Sequence, residues 1–101
     1  MNDDQLTAHL AECVMKWRVT PDRFIKSGRT WIPKWRFQPL MDLNDAFRLL
    51  DHAADRYSLT EDRQGIFGAN VQISGHRGKA AGEPKARTIT IAVARALGLE
   101  V

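Results

Sequence analysis

YSLTEDRQGIFGANVQI, residues 57–73, decides the fold. Tyr57 and Leu59 alternate with polar neighbours, Asp62-Arg63-Gln64-Gly65 supplies turn chemistry, and Phe67, Ala69, Val71 and Ile73 alternate in the run that follows. A period of two on both sides of a glycine-containing turn predicts a β-hairpin. Beyond it, residues 75–85 read as a loop with a short extended stretch at Arg77 to Ala81. A helix then runs from Lys85 to Leu97, with Ile89, Ala92, Val93, Ala96 and Leu97 toward the core and Gly98 placed to end it. Before the hairpin, residues 43–56 carry a helical stripe of Leu43, Ala46, Phe47, Leu50, Ala53 and Ala54, with Asp42 as N-cap and Asp45 in the first turn.

Further upstream, Leu6, Leu10, Cys13, Val14 and Trp17 form the apolar stripe of a helix over residues 3–18, capped by Asn2 or Asp3 and ended before Pro21. Phe24-Ile25 is a short extended piece. Residues 30–37 alternate so that Trp31, Trp35 and Phe37 share one face, expected in the core, while Thr30, Lys34 and Arg36 take the other. Pro33 cannot donate to a ladder, so this strand belongs at a sheet edge or in two pieces. The order α, β, α, β, β, a loop with a short extended stretch, α is too irregular for a doubly wound sheet. It predicts an α+β fold, a small antiparallel or mixed sheet of three to four strands packed with three helices as an α/β/α sandwich. A chain of 101 residues has room for one such domain, 1–101, and buries roughly 65% of its unfolded surface without needing a metal or disulfide.

Charge is segregated along the chain. The 15 Lys+Arg and 12 Asp+Glu leave a net charge of +3, yet residues 23–39 hold Arg23, Lys26, Arg29, Lys34 and Arg36 with no acid. Residues 40–62 are acidic, and residues 63–87 are basic again. Alternating blocks can neutralise one another when they fold side by side. No apolar run approaches the length of a membrane span, the start Met1-Asn2-Asp3-Asp4 is unlike a secretory signal, and a lone Cys13 suits a reducing cytoplasm.

Three segments carry a resemblance. Val14-Met15-Lys16-Trp17, the Phe37-Gln38-Pro39-Leu40-Met41-Asp42 lead-in to Ala46-Phe47, and the Ile89 to Leu97 helix resemble the phage ABA sandwich domain family. This is a group of small bacteriophage and prophage proteins with helices on both sides of a sheet and no assigned activity. The likeness spans nearly the whole chain, and its motifs mark structure, not chemistry. Leu40-Met41 departs from the Ser-Thr that many relatives place before the capping Asp, and the basic stretch 23–36 is individual. The resemblance implies the sandwich fold and a phage protein in the cytoplasm of a bacterial host. It implies no functional residue.

The chemistry-bearing residues read mostly as structure. His9 and Cys13 are four apart on one helix, a chelating spacing with no third ligand but the distant His52, so the expected roles are an exposed imidazole and a buried thiol. Asp42, Asp45, Asp51 and Asp55 read as a cap and a solvated helix face that Arg48 can pair with. Gly75 to Gly82 lacks the GxxxxGK[ST] pattern of a phosphate loop. These readings yield no complete catalytic set, metal site or cofactor site, and the expectation is a non-enzymatic accessory or interaction protein with a protein partner, a small-molecule or metal-dependent enzyme being the third and least favoured reading. The alternative is nucleic-acid binding through segments 23–36 and 77–87, with Arg29, Lys34, Arg36, Arg77, Lys79, Lys85 and Arg87 as phosphate contacts. The α-β-β-β-α order is loosely similar to double-stranded RNA-binding domains, although the lysine cluster expected at the last helix is reduced to Lys85 and Arg87. An unpaired sheet edge would also permit a homodimer.

Overall fold

Residues 1–101 are described by a computed structural model. Three α-helices, α1 (Asp3–Cys13), α2 (Leu43–Ala53) and α3 (Lys85–Ala96), are joined by six strands and a 3-10 turn at Lys34–Arg36. The strands are β1 (Arg18–Val19), β2 (Arg23–Ser27), β3 (Thr30–Pro33), β4 (Arg56–Glu61), β5 (Phe67–Ile73) and β6 (His76–Ala81). The α+β class with three helices is as the pattern predicts. The strands form two antiparallel three-stranded sheets, β1-β2-β3 and β4-β5-β6, where a single sheet was expected. Pro33 explains part of the division: β3 ends on it, on the sheet edge, and the chain turns into the 3-10 segment without extending the ladder.

Local signals hold at most element ends. Asn2 and Gln5 form a reciprocal capping box on α1, and Asp42 accepts from the Asp45 N–H to cap α2. Gly98 takes a φ of 88° after α3, which a side chain would resist. Four expectations need correction. Helix α1 stops at Cys13 because the chain reverses at Lys16, with φ 60°, to feed β1. Cys13 is therefore exposed, and Trp17 reaches the core from outside the helix. Residues 76–81, expected mainly as loop, form the full strand β6 by pairing with β5 from His76 to Ala81. Leu43 and Leu97 lie outside the core, at the first residue of α2 and just past the end of α3, where the core face has already turned away.

The second sheet turns Phe67, Ala69 and Val71 of β5 and Gly78 of β6 toward α3, which lies across β5 and β6. Helix α2 packs on α3 in turn. Enclosed on both sides, α3 buries Ala86, Thr88, Ile89, Thr90, Ala92, Val93, Ala94 and Ala96, nearly its whole circumference. Its one deeply buried hydroxyl is satisfied: Thr90 Oγ1 donates to the Pro39 carbonyl at 2.7 Å. Thr90→Val leaves that carbonyl without its donor and is expected to cost about 1–3 kcal/mol, read as a lowered urea midpoint. An unchanged midpoint would show that the carbonyl finds another donor.

The first sheet is held by a separate aromatic hub. Trp17, Phe24 and Phe37 meet with ring centroids 5.0–5.9 Å apart, two of the three contacts edge-to-face. Sheet edges differ in how they are closed. β3 ends in proline, and on β6 the Lys79 carbonyl accepts from Arg95 Nη1 at 2.7 Å, whose Nε also donates to the Val101 carbonyl. The molecule measures 46 × 26 × 22 Å, and no helix is long and apolar enough to cross a membrane.

Candidate nucleic-acid interface

Register fixes the two faces of the first sheet. Val19, Phe24 and Ile32 line up across the strands on the inner side. Arg18, Ile25 and Trp31 form the neighbouring row on the outer side, with Arg23 opposite Pro33 beyond them. Trp31 therefore points away from the core and is 49% exposed. The Arg23 guanidinium stacks on its ring at 4.1 Å from the centroid. Arg23 is also held by Asp22 at 2.8 Å. That hydrogen bond, with a second from Thr20, keeps the Asp22 carboxyl below its usual range, and the Asp22 bond alone raises Arg23 above its own. Arg18 and Arg29 stand near this row with no ion pair, Arg29 at the β2–β3 turn.

This overturns the expectation that Trp31, Trp35 and Phe37 share one buried face. Alternation lasts only as far as Pro33; the 3-10 turn then rotates Trp35 out to 67% exposure, and only Phe37 goes into the core. Trp35 carries its own cation, with Arg36 Cζ 5.3 Å from the ring centroid. It also walls a cleft of about 400 Å³ with Met41, Lys34, Asp3 and Asp4. The two exposed tryptophans thus differ in surroundings: Trp31 lies among arginines on a sheet, Trp35 in a mixed-charge cleft with two carboxylates.

The other sequence candidates rest on different supports. Arg77 and Lys79 are exposed on β6, away from α3. Lys85 and Arg87 open α3, but Lys85 Nζ lies 5.6 Å from the Phe67 ring centroid. Arg87 donates to Asp3 at 2.9 Å, and that hydrogen bond raises its pKa further. His9 Nε2 and Cys13 Sγ are 3.3 Å apart on the α1 surface, and no group of three potential ligands gathers around them. Asp45 is almost buried, accepting the Gln38 N–H at 2.9 Å and facing Arg48 at 3.9 Å. Its part in holding the lead-in to α2 has no sequence signal beyond its place in the first turn. Sequence reasoning missed Arg18 and Arg23 as neighbours of Trp31, since the two-residue β1 is too short to show a period.

No family model matches the chain, and no curated protein matches it. Its fold has been seen. A crystal structure of a phage protein from Bacillus cereus superimposes with a TM-score of 0.78 at 14% identity, covering 100% of this chain and 92% of the other. At that identity the likeness is one of fold.

Proposed function

We propose that this chain is a phage accessory protein of the ABA sandwich type that works by binding, not by catalysis, in the cytoplasm of the bacterial host. Its partner on this reading is single-stranded nucleic acid, held on the outer face of the first sheet. One observation carries the choice of partner: Trp31 stands half exposed, with a guanidinium on its ring, in a segment of 17 residues that holds five cations and no acid. Exposed rings beside cations are what unpaired bases stack on while their phosphates are neutralised. The phage context is supported by the shared fold with the Bacillus cereus phage protein.

Anisotropy of a fluorescein-labelled oligothymidylate at 50 mM salt tests the reading. Trp31→Ala removes one stacking platform worth about 1–3 kcal/mol, so affinity is expected to fall roughly 5- to 150-fold, with Trp31→Phe retaining most of it. Equal binding by Trp31→Ala and the unchanged protein, or no binding by the latter, contradicts it.

The cleft beside Trp35 supports a second reading, a protein partner. Trp35 and Met41, 67% and 77% exposed, offer apolar anchors, while Asp3 and Asp4 would repel a phosphate chain there. Trp35→Ala is accordingly expected to leave oligonucleotide affinity within about twofold, since it is not part of the stacking surface.

A further inference from the structure

The second sheet has one face covered by α3 and one open to solvent, and the open face has a composition of its own. Register places Arg56, Gln72 and Arg77 in one row across β4, β5 and β6, Ser58, Asn70 and Lys79 in the next, and Thr60, Gly68 and Ala81 in the third. None of the nine is acidic, and none is apolar beyond alanine. Arg56, Arg77 and Lys79 are exposed and make no ion pair, in contrast to Arg23, Arg48 and Arg87. Two strand spacings set the Cα atoms of Arg56 and Arg77 about 10 Å apart, and two residues along β6 set Arg77 and Lys79 about 7 Å apart. Shallow depressions between them are lined by Ser58, Asn70 and Gln72.

We infer that this open face is a second nucleic-acid contact, one that docks on the sugar–phosphate backbone of a duplex without reading bases. Arginine, lysine, serine, threonine, asparagine and glutamine are the side chains that position a protein on phosphate oxygens. All six types are present here, on a hydrogen-bonded sheet that holds them in fixed register. The face carries no ring among its nine residues to stack an unpaired base on, and Tyr57, which also lines the depression by Arg56 and Arg77, stands by register in the row turned toward α3. It is thereby distinguished from the Trp31 surface, which lies on the other sheet. A regular array of phosphates, as on a duplex, suits cations at fixed spacing. The inference does not depend on the role proposed for Trp31.

The test is binding of a fluorescein-labelled 24-base-pair duplex of mixed sequence between 50 and 200 mM salt, with Arg56→Gln/Arg77→Gln/Lys79→Gln and Trp31→Ala as variants. Three phosphate contacts give a log–log salt slope of about −2.7, or roughly 40-fold weaker binding across that range. The triple variant should lose this slope while its circular dichroism and melting stay unchanged; Trp31→Ala should keep it. Substituting lysine at Arg56 and Arg77 should preserve most of the slope. The inference is overturned if the triple variant binds duplex as tightly and as salt-sensitively as the unchanged protein, if the unchanged protein does not bind duplex at 50 mM salt, or if anionic vesicles are bound in its place. Loss of duplex binding in Trp31→Ala alone would assign duplex to the first sheet and end the inference, leaving the single-strand reading intact.

Discussion

Gly78→Ala is expected to destabilise the protein by about 3 kcal/mol or more, at the upper end for overpacked sites. Gly78 lies opposite Val71 on the face of β6 that meets α3. A Cβ there would run into the Ala92 carbonyl oxygen and the Ala96 amide nitrogen, well inside van der Waals contact. Both obstacles are backbone, so no rotamer change relieves them. The helix must lift, and the buried contacts of Ala92, Ala96 and Ile89 with the sheet loosen with it. For a domain of this size the melting midpoint should drop by roughly 12–24 °C, at 4–8 °C per kcal/mol. Gly68→Ala is the internal control, on the opposite face. There a Cβ crowds Thr60 Oγ1, at 3.1 Å, a side chain that can swing away, and stands in ordinary contact with the Ala80 carbonyl oxygen at 3.8 Å. Less than about 1 kcal/mol is expected, as for surface substitutions generally. Equal midpoints for the two variants would mean that α3 does not lie on β6 as described.

Phe37→Ala should cost about 3–5 kcal/mol, the range for removing a buried aromatic ring. Phe37 is fully buried and touches both other members of the hub, Trp17 at 5.0 Å and Phe24 at 5.8 Å between centroids. Removing it opens a cavity at the one place where the end of the α1 segment, β2 and the approach to α2 converge. The urea midpoint should fall with the denaturant slope unchanged. Trp35→Ala, two residues away on a larger ring, is expected to change stability by less than about 0.5 kcal/mol because that ring is largely in water. Comparable losses at the two positions would restore the shared buried face that simple alternation over residues 30–37 suggests.

Those adjacent aromatics also show where a sequence can and cannot be read. The hairpin of β4 and β5 was legible because Phe67, Ala69 and Val71 bury one face against a helix while Asn70 and Gln72 stay at the other, so burial and period coincide. Helix α3 was legible in its extent, down to its terminating Gly98, but not in its burial, since it is enclosed on nearly all sides and Leu97 falls past its end. The segment after Pro33 was not, since a proline permits either a bent strand or a turn, and tertiary packing of Phe37 chooses between them. Strand β6 was hidden by its glycine and charges: His76, Arg77 and Lys79 give no apolar period, and of the two positions turned to the core Ala80 is only half-buried while Gly78, the buried one, signals its burial only through the helix above it. Likewise the basic residues could be counted but not placed. Arg87 is spoken for by Asp3, 84 positions away, whereas Arg56 joins Arg77 only through the pairing of three strands.

Amide and indole NMR shifts during titration with an oligothymidylate at 50 mM salt test most directly whether the first sheet binds nucleic acid. Perturbation centred on the Trp31 indole N–H and the amides of Arg18, Arg23 and Ile25, weakening as salt rises, is the predicted result. Saturating oligonucleotide that leaves those signals in place, or moves only those of the cleft around Trp35 and Met41, would contradict it.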